Sequence, residues 1–189
     1  MISDEALMLE FQRGSRPAFE ELFARYREPL YGFFRRRLES PERAEDLAQE
    51  TFLAVIRATA RYEPRALVRT YLYGIALKLV ATERRKQQTS GAVASLETEP
   101  AMENASDAAL WVRQALGKLD TQEREILMLR EYEQLSYAEI ADLLRLPVNT
   151  VRSRLFRSRM ALKNYLEGKG QHAVAASSDA EVNPREGEG

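Results

Sequence analysis

Apolar residues recur every three or four positions along most of this chain, and the strict alternation of a half-buried strand is nowhere sustained. The pattern predicts an all-α fold. Ser3 is placed to cap a short helix running to about Arg13, with Gly14 as its terminator. Phe19, Leu22, Phe23, Tyr26, Leu30, Phe33 and Phe34 then mark one amphipathic helix, interrupted or kinked at Pro29. Ser40 and Pro41 open a third helix as cap and first residue, running to about Ala60. A loop at Tyr62, Glu63, Pro64 and Arg65 leads to a fourth, from about Val68 to Lys86 or Gln87.

From Gln87 onward the composition shifts to Gln, Ser, Thr, Ala, Glu and Pro, and Glu97, Glu99 and Glu103 have no cation in the interval to Ser106. Too little apolar surface is on offer there to offset the entropy of ordering. The pattern therefore divides the chain into two small helical domains: 1–87, a flexible acidic linker at 88–106, a second domain at 107–167, and a disordered tail at 168–189.

The second domain carries the sharpest local signal. Ser136 followed by Glu139 is a capping box, so a helix starts there, with Ile140, Ala141 and Leu144 as its apolar stripe. The segment Arg145-Leu146-Pro147 ends it, because a residue before proline is pushed out of the helical region. The next helix begins between Pro147 and Thr150, with Asn149 a candidate cap. At about 100° per residue, Val151, Leu155, Ser158 and Leu162 share one face, and Asn149, Arg152, Ser153, Phe156 and Arg157 the opposite one. No Asp or Glu occurs from Arg145 to Lys163, although the whole chain has a net charge of -1. A short helix, a tight turn and a basic second helix fit a DNA major groove: Asn149, Arg152 and Ser153 suit base edges, and the remaining cations suit phosphates. A solvated basic helix is the plainer reading of the same residues.

Composition narrows the chemistry. The 189 residues are 44% hydrophobic and 30% charged, as in a soluble globular protein. Without cysteine there is no disulfide, thiolate site or cysteine nucleophile, and the lone His172 falls in the tail, away from any candidate partner. No catalytic residue, metal ligand or cofactor is expected. No window approaches the roughly 20 apolar residues that span a bilayer, and the acidic start of the chain is unlike a signal peptide. A cytoplasmic location is expected.

Two further constellations allow a functional and a structural reading. In the third helix, Ala44, Leu47, Ala48, Thr51, Phe52, Val55 and Ile56 form the stripe to be buried, while Asp46, Gln49, Glu50 and Leu53 share another face. Asp46 and Glu50 are like charges one turn apart, mildly unfavourable in isolation. With Leu53 beside them they suit a basic, partly apolar partner, or else an ordinary acidic solvent face that Arg43 or Arg57 partly compensates. In the fourth helix, Tyr71 and Tyr73 interleave with Lys78, Arg84, Arg85 and Lys86, which suits unpaired bases and their phosphates. The tyrosines equally suit a core stripe with Leu72, Ile75, Ala76 and Leu79. The run Arg35-Arg36-Arg37 reads as a solvated helix end, where cations are favourable.

From about Phe19 to Leu166, the order of these segments resembles the extracytoplasmic-function group of bacterial RNA polymerase sigma factors. Ala44 to Phe52 is similar to that family's second conserved region, and the resemblance implies that Asp46, Gln49, Glu50 and the neighbouring Leu53 dock on the clamp of the largest polymerase subunit. It implies that Tyr62, Arg65, Tyr71, Tyr73, Lys78, Arg84 and Arg85 hold the opened strand of the minus-ten element, the loop at 62–67 lying where a flipped base is captured. Leu119 to Leu166 is similar to the fourth region, so Asn149, Thr150, Arg152, Ser153, Arg154, Phe156 and Arg157 would address the minus-thirty-five element. The implied partners are core polymerase, including the flap of its second-largest subunit, promoter DNA and an anti-sigma factor.

The chain departs from the pattern at Tyr71, Lys78 and Thr82, where the family usually has Trp, Asn and Asp. It departs again at Arg145 and Asn149, where glycine is usual in and after the turn. If the turn needs a left-handed residue, Arg145 is strained there. The rival functions are a stand-alone dimeric helix-turn-helix regulator and an interaction module that occupies polymerase without directing transcription.

Overall fold

The structure is a computed structural model describing residues 2–64, 67–89 and 107–179, with side chains in the last segment described over 110–167. Its described elements are helical: α1 (Asp4–Gln12), α2 (Arg16–Arg35), α3 (Pro41–Ala58), a single 3-10 turn (Thr59–Arg61), α4 (Val68–Thr89), α5 (Asp107–Gly117), α6 (Thr121–Glu131), α7 (Tyr137–Leu144) and α8 (Val148–Asp179). No described helix is long and apolar enough to cross a membrane.

Five of the helix starts follow from a side-chain cap, that of α7 among them. The Ser3, Ser15 and Ser40 hydroxyls accept from Ala6, Ala18 and Arg43 amides, and Asp120 accepts from Gln122 and Glu123. Gly14, at φ 97°, closes α1 in a conformation that costs other residues strain. Pro29 does not break α2, which runs unbroken through it. Leu22, Leu30, Phe33 and Phe34, all buried, fix the helix on both sides of the lost hydrogen bond.

In the first half α2 packs on α1 and α3, and α4 packs on α3; in the second, α8 packs on α5, α6 and α7. The two halves are not separate bodies. One apolar cluster runs from Leu30, Phe33, Phe34 and Tyr73 through to Leu127, Leu135 and Ile140, and α7 lies directly on α4. Leu143 of α7 lies over Gly74 of α4, where a Cβ would meet its Cδ1 at 3.4 Å, an ordinary packing distance.

Several expectations are corrected. The Arg35-Arg36-Arg37 run is not a solvated end: the Arg37 side chain is 1% exposed. Ile56, assigned to the buried stripe of α3, is 45% exposed and joins Leu53 on the outer face. Asn149 does not cap α8, which begins at Val148. Residues 168–179, expected to be disordered, continue α8; Ala173, Ala175 and Ala176 favour helix, and no proline intervenes before Pro184. Most of the expected linker, residues 90–106, lies outside the described residues, as do 180–189; Gln88 and Thr89 end α4.

Candidate polymerase and nucleic-acid interfaces

On α3, Ala44, Leu47, Ala48, Thr51, Phe52 and Val55 are buried, and this turns Asp46, Gln49, Glu50 and Leu53 outward. Arg43 gives Asp46 little compensation: its guanidinium pairs bidentately with Glu83 of α4 at 2.9 and 2.7 Å, leaving Asp46 at 3.6 Å. That pairing holds the Glu83 carboxyl below its ordinary range. Leu53 is 47% exposed beside these acids, and Gln49 edges a groove of about 300 Å³ lined by Phe23, Tyr31 and Phe52. An acidic rim around exposed apolar carbon beside a groove is the chemistry of a docking site for a basic, partly apolar partner.

The strand-binding set divides. Tyr62 and Tyr71 meet edge to face, ring centroids 5.4 Å apart, beside a cleft of about 500 Å³ that Arg61 and Thr70 also line. The buried Tyr62 hydroxyl has no hydrogen-bond partner among the described residues. Burial pushes both phenols upward in pKa. Lys78 and Arg85 are exposed further along α4, and Arg84 is partly buried, its guanidinium pKa lowered by desolvation. Tyr73 does not belong to this surface. It is 4% exposed and packs on Phe33 with centroids 5.4 Å apart, so the core-stripe reading holds for it. Arg65 lies outside the described residues.

The helix-turn-helix forms as its residues dictate. The Ser136–Glu139 capping box is complete, with bonds of 2.8 and 3.2 Å, and Val151, Leu155 and Ser158 are buried. Arg145 takes the left-handed conformation at φ 54°, ψ 48°, so the chain keeps a glycine-type turn with an arginine in it. The outer face of α8 presents Asn149, Arg152, Ser153 and Phe156, the last 66% exposed, with Thr150 half-buried at its edge. Arg154 and Arg157 have partners within the domain: Arg154 donates to Gln122, and Arg157 pairs with Glu123 at 3.1 Å.

The Sigma-70 region 2 family matches residues 22–90, and Sigma-70 region 4 matches residues 109–162. The chain is 32% identical to the RNA polymerase sigma-H factor of Pseudomonas aeruginosa over 181 residues, covering 87% of this chain and 94% of that protein. This chain belongs to the extracytoplasmic-function group of the sigma-70 family. It is also 34% identical to the sigma factor CarQ of Myxococcus xanthus, over 84% of this chain and 95% of that one. Among solved structures, CnrH in complex with the cytosolic domain of CnrY superimposes with a TM-score of 0.66 at 26% identity, covering 87% of this chain and 97% of CnrH. The Bartonella quintana sigma factor RpoE, bound to the anti-sigma factor NepR, shares the fold at TM-score 0.63 and 21% identity, over 79% of this chain and 96% of its own.

In this sigma factor the sequence misses one set of residues. Arg36 and Arg37 of the first half reach Glu125 and Glu133 of the second: Arg37 Nη2 lies 2.7 Å from Glu125 and Arg36 Nη2 2.9 Å from Glu133. Arg69 and Thr70 reach Glu139. A tri-arginine run and an acid-rich α6 were the available signals, but sequence spacing cannot pair charges about ninety positions apart.

Proposed function

We propose that this sigma factor docks on core RNA polymerase through Asp46, Gln49, Glu50 and Leu53 and directs initiation at promoters whose minus-thirty-five element meets α8. The carrying observation is the outer face of α3, where Leu53 and Ile56, 47% and 45% exposed, flank Glu50 and Asp46, the latter 3.6 Å from an Arg43 guanidinium that Glu83 holds more closely. Such a face gains nothing in water and gains much against a basic, apolar partner. Asn149, Arg152, Ser153 and Phe156 address bases, while Thr150, Arg154 and Arg157 serve phosphates. Tyr62, Arg65, Tyr71, Lys78, Arg84 and Arg85 engage the opened strand, with Tyr73 supporting them from the core. A net charge of -1 agrees with DNA binding that needs polymerase, because one short basic helix neutralises few phosphates.

The protein works in the cytoplasm, without catalysis of its own, and its second domain meets the polymerase flap. An anti-sigma factor restrains it; the similarity to CnrH, solved with CnrY, supports that partner. The test is in-vitro transcription with core enzyme and genomic templates. Defined start sites that appear only with this protein are expected, and their absence would overturn the proposal. Tight operator binding by the free protein would instead favour a dimeric regulator.

A further inference from the structure

We infer that α1 is the positioning element of the strand-binding cleft: Gln12 and Glu5 hold the two ends of the loop at 62–67 and thereby set how the cleft discriminates among minus-ten bases. The inference rests on the strand-binding reading of that cleft and goes beyond it. Gln12 Nε2 donates to the Thr59 and Tyr62 carbonyls, both at 3.0 Å, where the 3-10 turn runs out into the loop. At the other end, Glu5 Oε1 accepts from the Val68 amide at 3.2 Å, at the first residue of α4. A helix-start amide and a carbonyl beyond the last turn are the backbone groups that need an outside partner, and α1 supplies both.

Glu5 and Gln12 are seven positions apart, two turns along one face of α1 and roughly 10 Å along its axis. Tyr62 and Val68, 6% and 1% exposed, share one apolar cluster with Leu7 and Met8, which lie between the two polar residues on the helix. Helix α1 is itself fixed on α2, where Asp4 accepts from Arg25 at 2.6 Å and from the Tyr26 hydroxyl. A tethered helix therefore sets the width of the loop mouth.

Tyr62 is where this clamp meets the site. Gln12 holds its carbonyl, and its ring meets Tyr71 edge to face in the wall of the cleft. Its neighbours Arg61 and Glu63 line the same cleft, so a backbone shift at Tyr62 moves three cleft-lining side chains at once. A displacement of about 1 Å in a positioned group can cost on the order of a hundredfold in rate. Gln12 and Glu5 are positioning residues, acting through the loop. Helix α1 precedes residues 22–90, which the Sigma-70 region 2 family matches, so this role does not come from that match.

Holoenzyme assembled with Gln12→Ala, with Glu5→Ala or with Glu5→Gln is compared with wild type on two promoter series. One is substituted base by base in the minus-ten element and the other in the minus-thirty-five element, with strand opening read by permanganate footprinting. Each mismatched base ordinarily costs a factor of about five or more. Gln12→Ala and Glu5→Ala should lose most of that discrimination in the minus-ten series and keep it throughout the minus-thirty-five series. Glu5→Gln should restore it, because an amide oxygen still accepts from the Val68 amide. These ratios do not depend on how much of a variant is folded, since unfolded protein loads no polymerase. Minus-ten ratios like the wild type's in both alanine variants would overturn the clamp, and so would an equal loss of discrimination in both series, the mark of a role in stability alone. Tyr71→Ala separates the two readings. If it leaves the minus-ten ratios unchanged, the strand-binding reading falls and the clamp with it; if it changes them while Gln12→Ala and Glu5→Ala do not, only the clamp falls.

Discussion

Arg69 and Glu139, seventy positions apart, meet through two hydrogen bonds of 2.6 Å, and the same carboxylate caps the helix that carries it. Burial alone would raise the Glu139 carboxyl. The Arg69, Ser136 and Thr70 donors outweigh it and hold the group at about 2, against an ordinary 4.5. A depressed carboxyl contributes stability above its unfolded pKa and loses it as pH falls through the folded one. The packing of α7 on α4, read as the midpoint of urea unfolding, should therefore hold above about pH 4.5 and weaken toward pH 2, beyond any change seen in Glu139→Gln. The groups facing Glu139 are Arg69, Thr70 and Ser136, with the Tyr26 and Tyr73 phenols near Arg69; both phenols titrate far above this range. Identical acid profiles for wild type and Glu139→Gln would refute the prediction.

Arg37 should matter far more than its neighbour Arg35. Replacing Arg37 by alanine takes away the 2.7 Å partner of Glu125, leaves the Glu133 side chain, 2% exposed, to Arg36 alone, and opens a gap where the guanidinium stacks 3.7 Å from the Phe33 ring centre. Breaking one partner of a buried ion pair costs about 3–5 kcal/mol. Arg35 only donates to the Leu38 and Glu39 carbonyls, at 3.3 and 3.2 Å, and Arg35→Ala should cost less than about 1 kcal/mol. Urea unfolding monitored by circular dichroism compares the two.

What the sequence discloses and what it hides separate along one line. Contacts set within a few residues are legible: the Ser3 and Ser40 caps, the Ser136–Glu139 box and the Val151, Leu155, Ser158 face follow from spacing, while the left-handed Arg145 stands where the family resemblance puts a glycine. Contacts set by how helices stack are not. Tyr71 and Tyr73 have the same chemistry two positions apart, yet one borders the cleft and the other packs on Phe33. Arg37 looks like any terminal cation until α6 supplies Glu125 and Glu133. Periodicity puts Ile56 inside, but the chain turns into a 3-10 segment at Thr59 and Ile56 stands 45% exposed.

Arg145 is an arginine at φ 54°, where a side chain crowds its own carbonyl. Glycine there relieves the strain but gains freedom in the unfolded chain, and the two effects oppose each other. Left-handed strain is the larger, so Arg145→Gly should stabilise the protein by up to about 1 kcal/mol, read as a higher melting temperature. A lower melting temperature would mean that the arginine makes a contact worth more than the strain.

The outer face of α3 should lose polymerase without losing its fold. Asp46→Ala with Leu53→Ser alters two exposed side chains and leaves the buried stripe intact, so helical content should not change. Removing an apolar anchor and its adjacent charge typically costs about 2 kcal/mol or more in an interface. Competition for core enzyme against a second sigma factor should show at least about tenfold weaker binding. Equal competition would remove α3 as the docking face.

Arg152 separates base reading from phosphate binding. Its side chain is exposed on the outer face of α8 and makes no hydrogen bond or ion pair among the described residues, unlike Arg157, which Glu123 holds. It is free to form the paired bonds to guanine that arginine favours in a major groove. With holoenzyme on a promoter series substituted position by position, Arg152→Ala should lose about 1–3 kcal/mol of discrimination at one minus-thirty-five position. Arg157→Ala, which gives up a side chain already engaged within the domain, should weaken binding evenly across the series and flatten its salt dependence. If the Arg152 variant also weakens all sequences alike, Arg152 contacts the backbone, and the reading falls to Asn149, Ser153 and Phe156, which share its face.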